Sequence, residues 1–125
     1  MNIKTMLLIN AVVAAVFGLA LVIVPGTVIA TYGITADASL RYMGQLFGLC
    51  LVGHVVLCWF AKDAPESAAR MAIVRALFVT NGLGLVVALM AQLDGVTNAV
   101  GWSTVAIYLL LGLGWAYFLR AKPAA

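Results

Sequence analysis

Met6–Val24 reads MLLINAVVAAVFGLALVIV, an apolar run broken by a single amide, Asn10, and carrying no charge. At about 1.5 Å rise per residue, a helix of this length crosses nearly all of the roughly 30 Å hydrocarbon core of a bilayer. Three more charge-free windows follow, Tyr42 to Ala61, Ala76 to Leu93 and Gly95 to Leu119. A soluble helical protein would interrupt such windows with charged residues at every turn of its wet face. Across the 125 residues, 66% are hydrophobic and 9% charged, too little polar surface to solvate a globule. The expected fold is all-α: one polytopic transmembrane domain over 1–125, a four-helix bundle with spans over about 6–24, 40–61, 64–93 and 98–119.

Local signals place the ends of these spans. Lys4 ahead of the first apolar run resembles the start of a secretory leader. The run nevertheless exceeds the roughly 7 to 15 residues of a leader's apolar core, so it is expected to stay as a span. Pro25 and Gly26 stop it, and Thr27 to Tyr32 reads as a short helical turn at the outer interface, ended by Gly33. Asp37 is positioned to cap the second span, with Arg41 one turn on as its partner or as a ligand for lipid phosphate. Asp63 is the expected N-cap of the third span, with Pro65 in the first turn and Glu66 facing Arg70 four residues later. Asp94 and Gly95 form the outer turn into the fourth span, and Arg120, Lys122 and Pro123 close the chain.

Charge sets the expected orientation. In a four-span arrangement Lys4, Lys62, Arg70, Arg75, Arg120 and Lys122 share one side, and Arg41 alone lies on the other. The positive-inside rule then puts both termini in the cytoplasm of a bacterial cell, with the chain in its inner membrane. Aromatic residues gather at the same two levels: Tyr32, Tyr42 and Trp102 near the outer edge, and Trp59, Phe60, Trp115, Tyr117 and Phe118 near the inner one.

Asn10 and Gly18 in the first span, Pro25 followed by Tyr32 and Gly33, Gly44 and Gly48 in the second, and Gly101 with Trp102 opening the fourth form a diffuse pattern over most of the chain. In this the chain resembles small four-helix bacterial integral membrane proteins of unassigned function. The resemblance implies the architecture and brings no activity with it. Small multidrug exporters and fluoride channels insert in both orientations and need balanced charge. The strong charge bias here sets the chain apart from both, and the first span also lacks the exporters' glutamate.

Gly18, Gly44, Gly48, Gly84 and Gly112 recur with other small residues at spacing four, the pattern that lets helix backbones approach closely in lipid. They serve either packing inside the bundle or docking onto another chain. Asn10, His54 and Asn81 lie at comparable depth in three of the spans and are expected to form one polar layer in the inner leaflet. Such a layer holds helices together or meets a ligand such as haem or a quinone. Cys50, His54 and Cys58 lie at spacing four on one helix face, where a metal could reach His54 with either thiol. Cys50 and Cys58 are about 12 Å apart along the axis, too far for one ion or for a disulfide. Gln45, Gln92 and Asn98, with Ser103 and Thr104, mark a shallow outer vestibule.

No Asp or Glu lies in any charge-free window, and no nucleophile with its base, phosphate loop or basic aromatic patch occurs. The expected function is therefore non-enzymatic and without nucleic acid: an accessory or structural subunit of a membrane complex, or a homo-oligomer, in contact with lipid. The alternative is small-ligand binding or permeation through the polar layer. No cofactor is specifically implied.

Overall fold

The computed structural model describes residues 1–121, so Lys122 and Pro123 lie outside the described residues. It contains five helices: α1 (Ile3–Ile23), α2 (Pro25–Thr31), α3 (Ala38–Ala61), α4 (Ala68–Leu93) and α5 (Gly101–Arg120). All but α2 are long and apolar enough to cross a membrane, which makes the chain a small all-α protein with four candidate spans packed as a bundle.

Caps explain where the helices begin. Asn2 accepts a hydrogen bond from the Thr5 amide at 2.8 Å, so α1 starts three residues before the apolar run. Pro25 takes the first position of α2, where its missing N–H leaves nothing unpaired, and Gly33 ends the segment at φ +77°. Asp37 caps α3 as expected, accepting from the Leu40 amide at 2.8 Å. Arg41 does not pair with it; its alkyl chain lies against Gly26.

The expected cap of the third span is corrected. Ser67, not Asp63, accepts from the Arg70 amide at 3.1 Å, and α4 begins at Ala68 rather than residue 64. The Asp63 carboxylate is bound by Lys4 at 2.7 Å and by Lys62, leaving Pro65 in the connecting loop. The Glu66–Arg70 pair does form, at 3.7 Å. The fourth span likewise begins three residues late, because Asn98 makes a turn there, its Oδ1 accepting from the Val100 amide at 3.0 Å.

Packing divides the bundle into two pairs. α3 runs along α1, α5 runs along α4, and α1 touches α5. Lys4 meets Asp63, and Asn10 on α1 meets Trp115 on α5, so the start of α1, the α3–α4 loop and the end of α5 share one end of the bundle. The buried core is concentrated there: Met6, Leu7 and Ala11 from α1, Cys58 and Ala61 from α3, Val74 and Leu77 from α4, and Leu111, Trp115 and Phe118 from α5. Trp115 and Phe118, expected as interfacial aromatics, are core residues, whereas Trp59, Phe60 and Tyr117 are exposed.

α3 and α4 follow one another in the chain but form no packed seam along their lengths. Away from the common core the two pairs diverge. The far end is fastened by Asn98, whose Nδ2 donates to the Thr31 carbonyl at 3.0 Å and whose amide donates to the Tyr32 carbonyl at 3.0 Å. A bundle tied at both ends and open between α3 and α4 encloses space in its middle.

Candidate functional site

That space is a cavity of about 380 Å³, within the roughly 300 to 1,000 Å³ range of small-molecule sites. Its walls are built at helical spacing. Leu40, Gly44, Phe47, Leu51 and His54 form a stripe down α3, and Thr104, Ile107, Tyr108 and Leu111 form one down α5. α1 contributes Phe17 and Leu21 among others, and α2 with Tyr32 covers the end opposite the core. α4 contributes only Thr80 and Asn81, as follows from the missing α3–α4 seam. Phe47 and Cys50 on α3 and Thr80 on α4 are exposed as well as lining, so this side opens toward the surroundings of the bundle.

Two glycines shape the walls. A Cβ on Gly48 would stand 2.8 Å from the Gly18 carbonyl oxygen, so these two residues set the α1–α3 crossing. A Cβ on Gly84 would stand 2.7 Å from Tyr108 Cζ; the tyrosine ring lies flat on this bare stretch of α4. Gly44 is looser, with Ile29 Cδ1 at 3.2 Å. Gly112 is not a close-approach position, since a Cβ there would meet only Asn81 Cβ at 3.9 Å. Gly114, which the spacing argument passed over, receives the Met6 side chain.

Asn10, His54 and Asn81 all line this one cavity, but they are bonded differently. Asn10 is 5% exposed, and both ends of its amide are committed: Oδ1 accepts from Trp115 Nε1 at 3.3 Å, and Nδ2 donates to Cys58 Sγ at 3.7 Å. It is a cross-brace between α1, α3 and α5. Asn81, also 5% exposed, donates from Nδ2 to the Leu77 carbonyl one turn back at 2.7 Å. Among the described residues its Oδ1 has no hydrogen-bond partner and no unpaired polar side-chain atom is sealed from the surroundings, so this oxygen opens onto the cavity. His54 Nδ1 lies 3.1 Å from the Cys50 carbonyl oxygen. A carbonyl only accepts, so Nδ1 is the donor, and in the neutral form of the ring the lone pair is then on Nε2.

The cysteine stripe does not converge. Cys50 is exposed and Cys58 is fully buried against Asn10, and no group of three metal-ligating side chains occurs among the described residues. The expected vestibule is a clasp instead. Gln45 donates to the Val22 carbonyl at 3.1 Å, Gln92 to the Asn98 carbonyl at 3.2 Å, and Ser103 to the Val100 carbonyl at 2.6 Å. Thr104 alone of these faces the cavity, bonded to the Tyr32 hydroxyl at 2.6 Å. The α3 and α5 stripes do not stand out in the sequence, because both helices are apolar all round; nor does the role of α2 as a cover, because nothing local marks it. No protein-family profile, curated protein or solved structure matches this chain.

Proposed function

We propose that this protein is a non-enzymatic membrane protein that binds a lipophilic small molecule inside its helix bundle. The observation that carries this reading is the cavity of about 380 Å³ between the two helix pairs, walled chiefly by apolar side chains and open between α3 and α4. A lipophile dissolved in the bilayer would reach such a site sideways, without crossing water. Permeation is less well supported, since the packed core around Trp115 stops the cavity at the end that carries Lys4 and Asp63. Haem fits poorly: the lining includes one imidazole and no Lys or Arg to meet its propionates.

The reading as an accessory subunit or homo-oligomer rests on near-absent soluble loops, small-residue faces and the lack of embedded charge. Gly18, Gly48 and Gly84 are occupied by contacts within the chain, which weakens the second of these three supports. For location, the Lys and Arg bias favours a bacterial cytoplasmic membrane with both termini in the cytoplasm.

The test fills the cavity from its open side. Cys50→Phe with Thr80→Phe places two rings in the α3–α4 gap, and Leu83→Phe on the exposed face of α4 is the control. After purification in mild detergent, the organic-soluble molecules bound per chain are counted by mass spectrometry. Wild type and control should retain a lipophile that the double variant loses. Identical extracts from all three, with all three folded by circular dichroism, would remove the proposal.

A further inference from the structure

The floor of the cavity carries an excess of hydrogen-bond acceptors. Asn81 stands one turn from core residue Leu77, and His54 one turn from core residue Cys58, so both lie where the cavity meets the packed core. Each has one N–H committed to a backbone carbonyl of its own helix. What remains is two acceptors, Asn81 Oδ1 and, in the neutral ring, His54 Nε2, against one donor, the second N–H of the Asn81 amide. Asn10, the third member of the layer, has both ends of its amide engaged in the core. Thr80 and Tyr108 carry hydroxyls, which donate or accept and impose no sign.

We infer that the ligand of this cavity is a neutral amphiphile whose head donates a hydrogen bond, a hydroxyl on an apolar body, seated with the head on Asn81 and His54. This rests on the reading of the cavity as a lipophile site and adds the class of molecule. A cationic head is disfavoured because no Asp or Glu lines the cavity, and an uncompensated charge within a bilayer is costly. An ester, ether or oxidised quinone can accept from the free Asn81 N–H but leaves Asn81 Oδ1 and His54 Nε2 without a donor. A fatty or isoprenoid alcohol and a hydroquinol share the chemistry that fits. One such bond distinguishes donor from non-donor heads by about tenfold.

The experiment loads nanodiscs with equal mole fractions of 1-dodecanol, dodecyl methyl ether and dodecane, and reads the bound species by native mass spectrometry of the released protein. Wild type should carry the alcohol over the ether and over the alkane by about tenfold. Asn81→Leu, close in shape and without the acceptor, should lose most of this preference while still binding all three probes, and that retained binding shows that the cavity is intact. His54→Phe should reduce the preference in part. Equal binding of all three probes by wild type overturns the head-group assignment and leaves the lipophile site standing. Absence of any bound probe overturns both. A preference that survives both substitutions places the head elsewhere and refutes the assignment.

Discussion

Gly18 and Gly48 meet backbone to backbone at the α1–α3 crossing: a Cβ on Gly48 would lie 2.8 Å from the Gly18 carbonyl oxygen, and a Cβ on Gly18 would lie 3.1 Å from that of Gly48. Backbone cannot move aside as a side-chain tip can. Gly48→Leu should therefore force the helices apart and destabilise the fold by at least about 1 to 3 kcal/mol. Gly53→Leu is the matched control, the same change on the same helix at a position with nothing within 4 Å. Thermal unfolding in detergent should separate the two variants clearly, and equal melting temperatures would falsify the crossing.

Asn10 and Trp115 are coupled through the indole N–H, at 3.3 Å in a fully buried setting. Asn10→Leu leaves that donor unpaired and should cost about 1 to 3 kcal/mol. In a Trp115→Phe background the same change should cost less, since the orphaned donor is gone. Unfolding measurements on the four members of this cycle read the coupling directly; strictly additive losses would mean that the bond contributes nothing.

Asp63 joins the α3–α4 loop to the start of α1. Its hydrogen bonds from Lys4, and then from Lys62, hold its carboxyl at about 2, below the ordinary 3.8. A carboxyl with a lowered value in the fold stabilises at full strength above the ordinary value. That contribution fades as the pH falls from about 4 and is gone below about 2. Asp63→Asn should therefore flatten the loss of stability over this window. Melting temperatures measured from about pH 5 downward provide the comparison, and parallel curves for the two proteins would show that the tie is inert.

The orientation is open to a test of its own. Reporter fusions placed after Ser67 and at the C-terminus should both read cytoplasm. An external signal from either would overturn the charge-bias argument without touching the bundle or its cavity.

The four spans, the short helix between Pro25 and Gly33 and the Asp37 cap were legible because each depends on residues close in the chain. The cap of α4 was not. Asp63 and Ser67 are both competent N-caps, and what separates them is Lys4, fifty-nine positions away in sequence and 2.7 Å away in space. Asn10, His54 and Asn81 were legible as polar residues at one depth, since polarity inside a span stands out in any apolar window. The bonding of Asn10 was not legible, because its partners come from α3 and α5.

By itself, then, the sequence determined that this chain is helical, with four segments long and apolar enough to cross a membrane. Hydrophobicity and helix rise are properties of single segments, and no neighbour is needed to evaluate them. Only the tertiary structure decided that α3 pairs with α1 and α4 with α5, leaving α3 and α4 apart and a cavity between the pairs. In lipid, apolar burial does not choose partners; fit between backbones does, as Gly18 and Gly48 show, and fit belongs to two helices at once.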